Sequence, residues 1–103
     1  MKHSIPHDLT PDLAKQATEK AFQSYQARFP EYAPTFKWIS GERADISFKI
    51  KGVGLSGLVA VLGSRIDMDL DVPFVFKVFQ KKAVQIIDGE VRSWIGKAKS
   101  GQL

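Results

Sequence analysis

Three aspartates at every second position, Asp67, Asp69 and Asp71, form the densest set of oxygen ligands in the chain, and carboxylates so gathered suit a hard cation such as calcium. An EF-hand loop, however, needs Gly at its sixth position and Glu at its twelfth. Counted from Asp67, those positions hold Val72 and Val78. The residues alternating with the acids, Ile66, Met68, Leu70 and Val72, are apolar, and a period of two describes a strand with one dry and one wet face. The aspartates therefore read as the solvated face of a strand. Lys49 and Lys51 would balance them across the sheet, and the acids would deter edge-to-edge pairing if their strand lay outermost.

The remaining chemistry-bearing groups fail on spacing. His3 and His7 flank Pro6, which favours an extended chain, and four extended residues span roughly 13 Å at about 3.3 Å each, too far for two ligands of one ion. Ser56 stands in Gly54-Leu55-Ser56-Gly57, without the G-x-S-x-G spacing of a nucleophile elbow. The glycines of Gly52-Val53-Gly54-Leu55-Ser56-Gly57 precede a strand, whereas a dinucleotide fingerprint must open a helix. None of these spacings makes an enzyme motif, and no catalytic residue, metal site or cofactor is expected.

Composition narrows the class further. A chain of 103 residues, 44% hydrophobic and 25% charged, has the size and balance of a single α+β domain over 1–103. The absence of cysteine rules out disulfides and fits a cytoplasmic setting. His3, Pro6, His7 and Asp8 interrupt the region where a signal peptide would be apolar, and the run Leu58 to Leu62 is far too short to span a bilayer. A net charge of +4 is modest, and the basic groups form no stripe interleaved with stacking aromatics, so nucleic-acid binding is not expected.

The elements that must position these groups follow the order β-α-β-β-β-β-α. Lys2 to His7 predicts a short edge strand. Thr10-Pro11-Asp12 supplies an N-cap, a preset first helical φ and a negative charge at the helix start; Leu13, Ala14, Ala17, Ala21, Tyr25 and Phe29 form a buried stripe that Pro30 ends. Four strands follow, over Thr35 to Ser40, Ala44 to Lys51, Val53 to Leu62 and Arg65 to Val72. In the second of these Ala44, Ile46, Phe48 and Ile50 point inward. After Val72-Pro73-Phe74 a helical period takes over, with Val75, Phe79, Ala83, Ile86, Ile87, Val91, Trp94 and Ala98 on one side and lysines on the rest. Ser100 to Leu103 is expected to fray. The fold class is thus an antiparallel sheet of four to five strands with two helices packed on it.

The strand Val53 to Leu62 is apolar on both faces. Leu55, Gly57, Val59 and Val61 serve the core, while Leu58, Ala60 and Leu62 decorate the other face. Either one helix covers each face, or both helices share a face and leave the other for a partner, a second copy or a hydrophobic surface.

His3-Ser4-Ile5-Pro6-His7-Asp8-Leu9 before an Ala-rich helix, Phe36-Lys37-Trp38, the opening Gly54-Leu55-Ser56-Gly57, and Asp71-Val72-Pro73-Phe74 with Phe79 and an amphipathic helix together resemble the polyhydroxyalkanoic acid system, or granule-region, proteins. Val72-Pro73 stands where Leu-Pro is expected. The resemblance implies a non-enzymatic bacterial protein of polyhydroxyalkanoate granules, with a granule surface or a coat protein as partner and no catalytic residues to carry over. On that reading Leu58, Ala60, Leu62 and Trp94 form the interaction surface. Two alternatives stay open: a reduced helix-grip domain holding an apolar ligand among Phe36, Trp38, Phe48 and Trp94, and a homodimerisation module.

Overall fold

A computed structural model of the protein describes residues 2–50, 52–71 and 77–102. The Val72 to Phe76 junction and Lys51 lie outside the described residues, as do the side chains of Ile50 and Phe79. Five strands, β1 (Lys2–Pro6), β2 (Thr35–Trp38), β3 (Arg43–Ile50), β4 (Val53–Val61) and β5 (Arg65–Asp71), and two helices, α1 (Pro11–Arg28) and α2 (Lys77–Lys99), build the α+β fold in the expected order.

All neighbouring strands are antiparallel, in the order β1-β5-β4-β3-β2. β2 to β5 form a meander that tight reversals join, and β1 returns to pair with β5. His7 secures that return. Its backbone N–H donates to Ser64 O at 2.9 Å, its Nε2 lies 2.8 Å from Leu62 O, and its Nδ1 accepts from Leu9 N–H at 3.1 Å. β1 and β2 therefore hold the edges, and β5 lies inside the sheet. The expected balance between Lys49 and the aspartates does not form, because β4 separates β3 from β5 and Lys49 faces Gly54 across the ladder. Asp67 is matched instead by Ser4 Oγ at 2.7 Å and Arg65 Nε at 3.0 Å.

Thr10, extended at φ −63° and ψ 157°, accepts at its Oγ1 from Leu13 N–H at 3.3 Å and starts α1 where the sequence predicts. The helix stops at Arg28, with Phe29 as the cap residue, and Pro30–Tyr32 makes one 3₁₀ turn that Ala33 closes in the left-handed region at φ 44°. β2 ends two residues earlier than its alternation suggests. Ile39 N–H and Ser40 N–H both bond to Arg43 O, and Ser40 Oγ accepts from Arg43 N–H at 3.2 Å, so the turn has already begun. At the other end of the chain Gly101, at φ 75°, closes α2 while Gln102 N–H reaches back to Lys97 O at 2.7 Å.

Both helices lie on the same face of the sheet. Ile5, Ile46, Phe48, Val59, Ile66, Met68 and Leu70 from the strands share one buried cluster with Ala14, Ala17, Ala21 and Phe22 of α1 and Val84, Ile87, Val91 and Ile95 of α2. Full burial of each large aliphatic side chain stabilises the fold by about 1.5–3 kcal/mol. α1 sits over the β2 side, with Phe22 and Phe36 centroids 5.0 Å apart, and α2 over the β1 side, where His3 Nε2 meets Asp88 Oδ2 at 2.5 Å. The helices run antiparallel: Asp8 beside the start of α1 pairs with Lys99 at 3.1 Å, and Arg28 at its end pairs with Glu90. Small residues on α1 allow this close approach. Thr18, fully buried in the stripe, satisfies its hydroxyl on Ala14 O at 2.8 Å.

Candidate functional site: the open face of the sheet

With both helices on one face, no element among the described residues covers the opposite face, and the strand registers fix what it displays. Directly paired residues point to the same side of an antiparallel sheet. One row crosses all five strands: Lys37 on β2, Asp45 on β3, Leu58 on β4, Asp69 on β5 and Lys2 on β1. Beside it run Arg43, Ala60, Asp67 and Ser4, and on the other side Thr35, Ser47, Ser56 and Asp71. Leu58, 43% exposed, lies at the centre of the first row.

The face is concave. A trough of about 820 Å³ runs between the Leu58 row and the serine row, lined by Lys37, Asp45, Asp69 and Asp71 among others, with Gly57 in its floor. A smaller hollow of about 380 Å³ continues past Leu58 and Ala60 toward Arg43 and Ser4. Gly57 pairs with Ile46 and Leu70 and so turns its Cα hydrogens to the core side, where a Cβ would lie 2.6 Å from Asp69 O and 2.8 Å from Leu70 Cδ2.

Charge is distributed unevenly over the face. The larger trough carries three carboxylates and a single ammonium on a chain whose net charge is +4. The ion pairs among the described residues join His3 and Arg92 to Asp88, Arg28 to Glu90, Arg65 to Asp67 and Lys99 to Asp8; none takes up Asp45 or Asp71. The hydrogen bond from Ser4 holds the Asp67 carboxyl below its usual range; burial opposes it, and Arg65 adds to the lowering. On the helix side burial works against ionisation of Asp88, but Arg92 and His3 outweigh it and the carboxyl is also lowered. Thr35 and Ser47 hydroxyls bond to each other across β2 and β3.

Leu58, Ala60 and Leu62 meet the structure differently. Leu58 and Ala60 lie on the open face, whereas Leu62 falls one residue past β4, half-buried in the reversal that His7 clamps. Trp94 is not brought to them. It packs from α2 onto the core on the other side of the sheet, with Lys97 Nζ 4.0 Å from its ring centroid. Of the aromatic group, Phe36 and Trp38 meet edge-on at 5.0 Å beneath α1, Lys15 Nζ lies 5.0 Å from the Trp38 ring centroid, and Phe48 is buried in the same core.

The flanking role of Asp45 and Asp69 was not read from the alternation alone, which only turned them outward. The signal lay in the reversals: the tight turn at Gly63-Ser64 pairs Leu62 with Arg65 and hence Leu58 with Asp69, and the turn after Ile50 sets Asp45 beside Leu58 in the same way.

The family described as "Putative polyhydroxyalkanoic acid system protein" matches residues 2–95, a span that takes in every strand, all of α1 and most of α2. The chain belongs to this family, as its motifs suggested. No curated protein and no solved structure matches it.

Proposed function

From membership of the polyhydroxyalkanoic acid system family, we propose that this protein is a non-enzymatic component of polyhydroxyalkanoate granules in the bacterial cytoplasm, acting through the open face of its sheet. The observation that carries this reading is the uncovered concave face with Leu58 43% exposed at its centre. A binding role is further supported by the way reactive side chains are engaged structurally: His3 with Asp88, His7 with backbone atoms, Ser4 with Asp67. A granule offers apolar polymer and a protein coat, and both can seat against a greasy centre.

Magnitude restricts how that seating works. Covering the exposed part of one leucine yields about 1 kcal/mol, while a micromolar complex requires about 8 kcal/mol. The polar rows around Leu58 must therefore take part in binding. Leu58→Lys tests the reading: co-sedimentation with isolated granules is expected to fall while circular dichroism and the melting temperature stay at the parent's values. Undiminished co-sedimentation of the folded variant would remove this face from the function.

A further inference from the structure

We infer that the occupant of the open face is a cationic amphipathic helix of a protein partner, an apolar stripe flanked by lysine or arginine, and not the polyester itself. The inference rests on the reading of this face as the binding surface, and the row through Leu58 carries it. Reading across the sheet, Lys37, Asp45, Leu58, Asp69 and Lys2 place one apolar group between two carboxylates, each roughly 4.8 Å away on a neighbouring strand. Asp71 adds a third carboxylate along the same trough, and Asp45 and Asp71 have no cationic partner among the described residues. A helix about 10 Å across fits over this centre, and long cationic side chains on both of its flanks can reach the acids while their stems cover Leu58. In the next row Arg43 lies beside Ala60, and Asp67 on its other side is taken up by Ser4 and Arg65.

Other occupants fit the row less well. A polyester surface offers carbonyl oxygens, which only accept hydrogen bonds, so it would bring the Asp45 and Asp71 carboxylates no donor. Phosphate-bearing surfaces meet like charge. A second copy turned about an axis along β4 sets Asp45 against Asp69 and Lys37 against Lys2, and one turned about the row sets each residue against itself. Both arrangements juxtapose like charges. Net charge does not imitate the effect, since a chain of net charge +4 repels a cationic peptide overall.

The test uses the whole protein and a fluorescein-labelled helical peptide of Leu and Lys with its leucines on one face, followed by anisotropy; a Leu and Glu peptide of the same pattern is the control. Binding of the Leu/Lys peptide alone is expected, weakening as salt rises from about 0.05 M to about 0.5 M. The Asp45→Asn, Asp71→Asn double variant should weaken it roughly three- to tenfold, and Leu58→Lys should weaken it further with unchanged melting. Equal binding of the two peptides, or parent-like affinity in the double variant, overturns the inference. In a second arm, coated granules should retain the protein and protein-free polyester particles should not. Equal retention on bare polyester overturns the cationic partner but leaves granule binding through this face intact. Retention on neither refutes the granule assignment, and the peptide titration then still decides the occupant's chemistry.

Discussion

Gly57→Ala isolates what the close approach of β4 and β5 demands of the fold. A methyl group at this position would lie 2.6 Å from Asp69 O, 2.8 Å from Leu70 Cδ2 and 3.2 Å from Leu70 Cα. Carbon and carbonyl oxygen ordinarily meet at about 3.3 Å or more, so β4 and β5 must separate by roughly 0.7 Å at a point where Gly57 pairs with Leu70. The nearest obstacle is backbone, which cannot swing aside as a side-chain tip can. Overpacking of this kind costs about 2 kcal/mol, and in a domain of this size that lowers the melting temperature by about 8–16 °C. Gly54→Ala is the matched control, in the same strand with no atom within 4 Å of its added carbon, and should stay within about 0.5 kcal/mol of the parent. Thermal melts and urea titrations with unchanged slope provide the measurement. Coincident melting of the two variants would refute the close approach of β5 to Gly57.

Two further predictions concern titration. The lowered pKa of Asp88 means that its stabilisation is fully present above 3.8, the ordinary value, and is lost as pH falls below it. Asp88→Asn should cost about 1 kcal/mol in urea titrations at neutral pH and flatten the loss of stability near pH 3. Burial, followed by the nearby Tyr32 and Glu31, pushes the Tyr25 phenol up to about 12, so the stability tied to its neutral form is complete below 10.0 and is lost as pH rises through 12. Absorbance titration should show a phenol ionising near 12 that Tyr25→Phe removes, and its persistence in that variant would contradict the burial of the Tyr25 side chain.

Much of this fold is legible in local pattern. Ala44, Ile46 and Phe48 are buried and Asp45 and Lys49 exposed, as strict alternation demands, and Thr10-Pro11-Asp12 begins a helix because capping is local chemistry. The choice between one helix per face and both on one face was not legible, since it depends on long-range packing. The stripe of α1 is the same whether it meets α2 beside it or a sheet alone. Thr18 and Glu90 went unread for the same reason: a buried threonine that satisfies its hydroxyl within its own helix, and a buried acid whose partner lies on the other helix, leave no mark in the apolar period. Trp94 carried an ambiguous signal, an aromatic at helical spacing, and the structure turns it to the core side of α2. The binding row depends on register, which turn length encodes but alternation does not.

The pairing of β1 with β5 has a consequence during synthesis. Residues 2–6 leave the ribosome well before their partners at 65–69, which follow some sixty residues later, a delay of roughly 3–12 s at about 5–20 residues per second. Until β1 docks, β5 is the exposed edge of the nascent sheet, the very position in which strands recruit wrong neighbours. Asp67, Asp69 and Asp71 stand on that edge, so like charge discourages another β5 from pairing there. Ser4, arriving with β1, then closes on Asp67. The acids that shape the finished face thus guard the unfinished one.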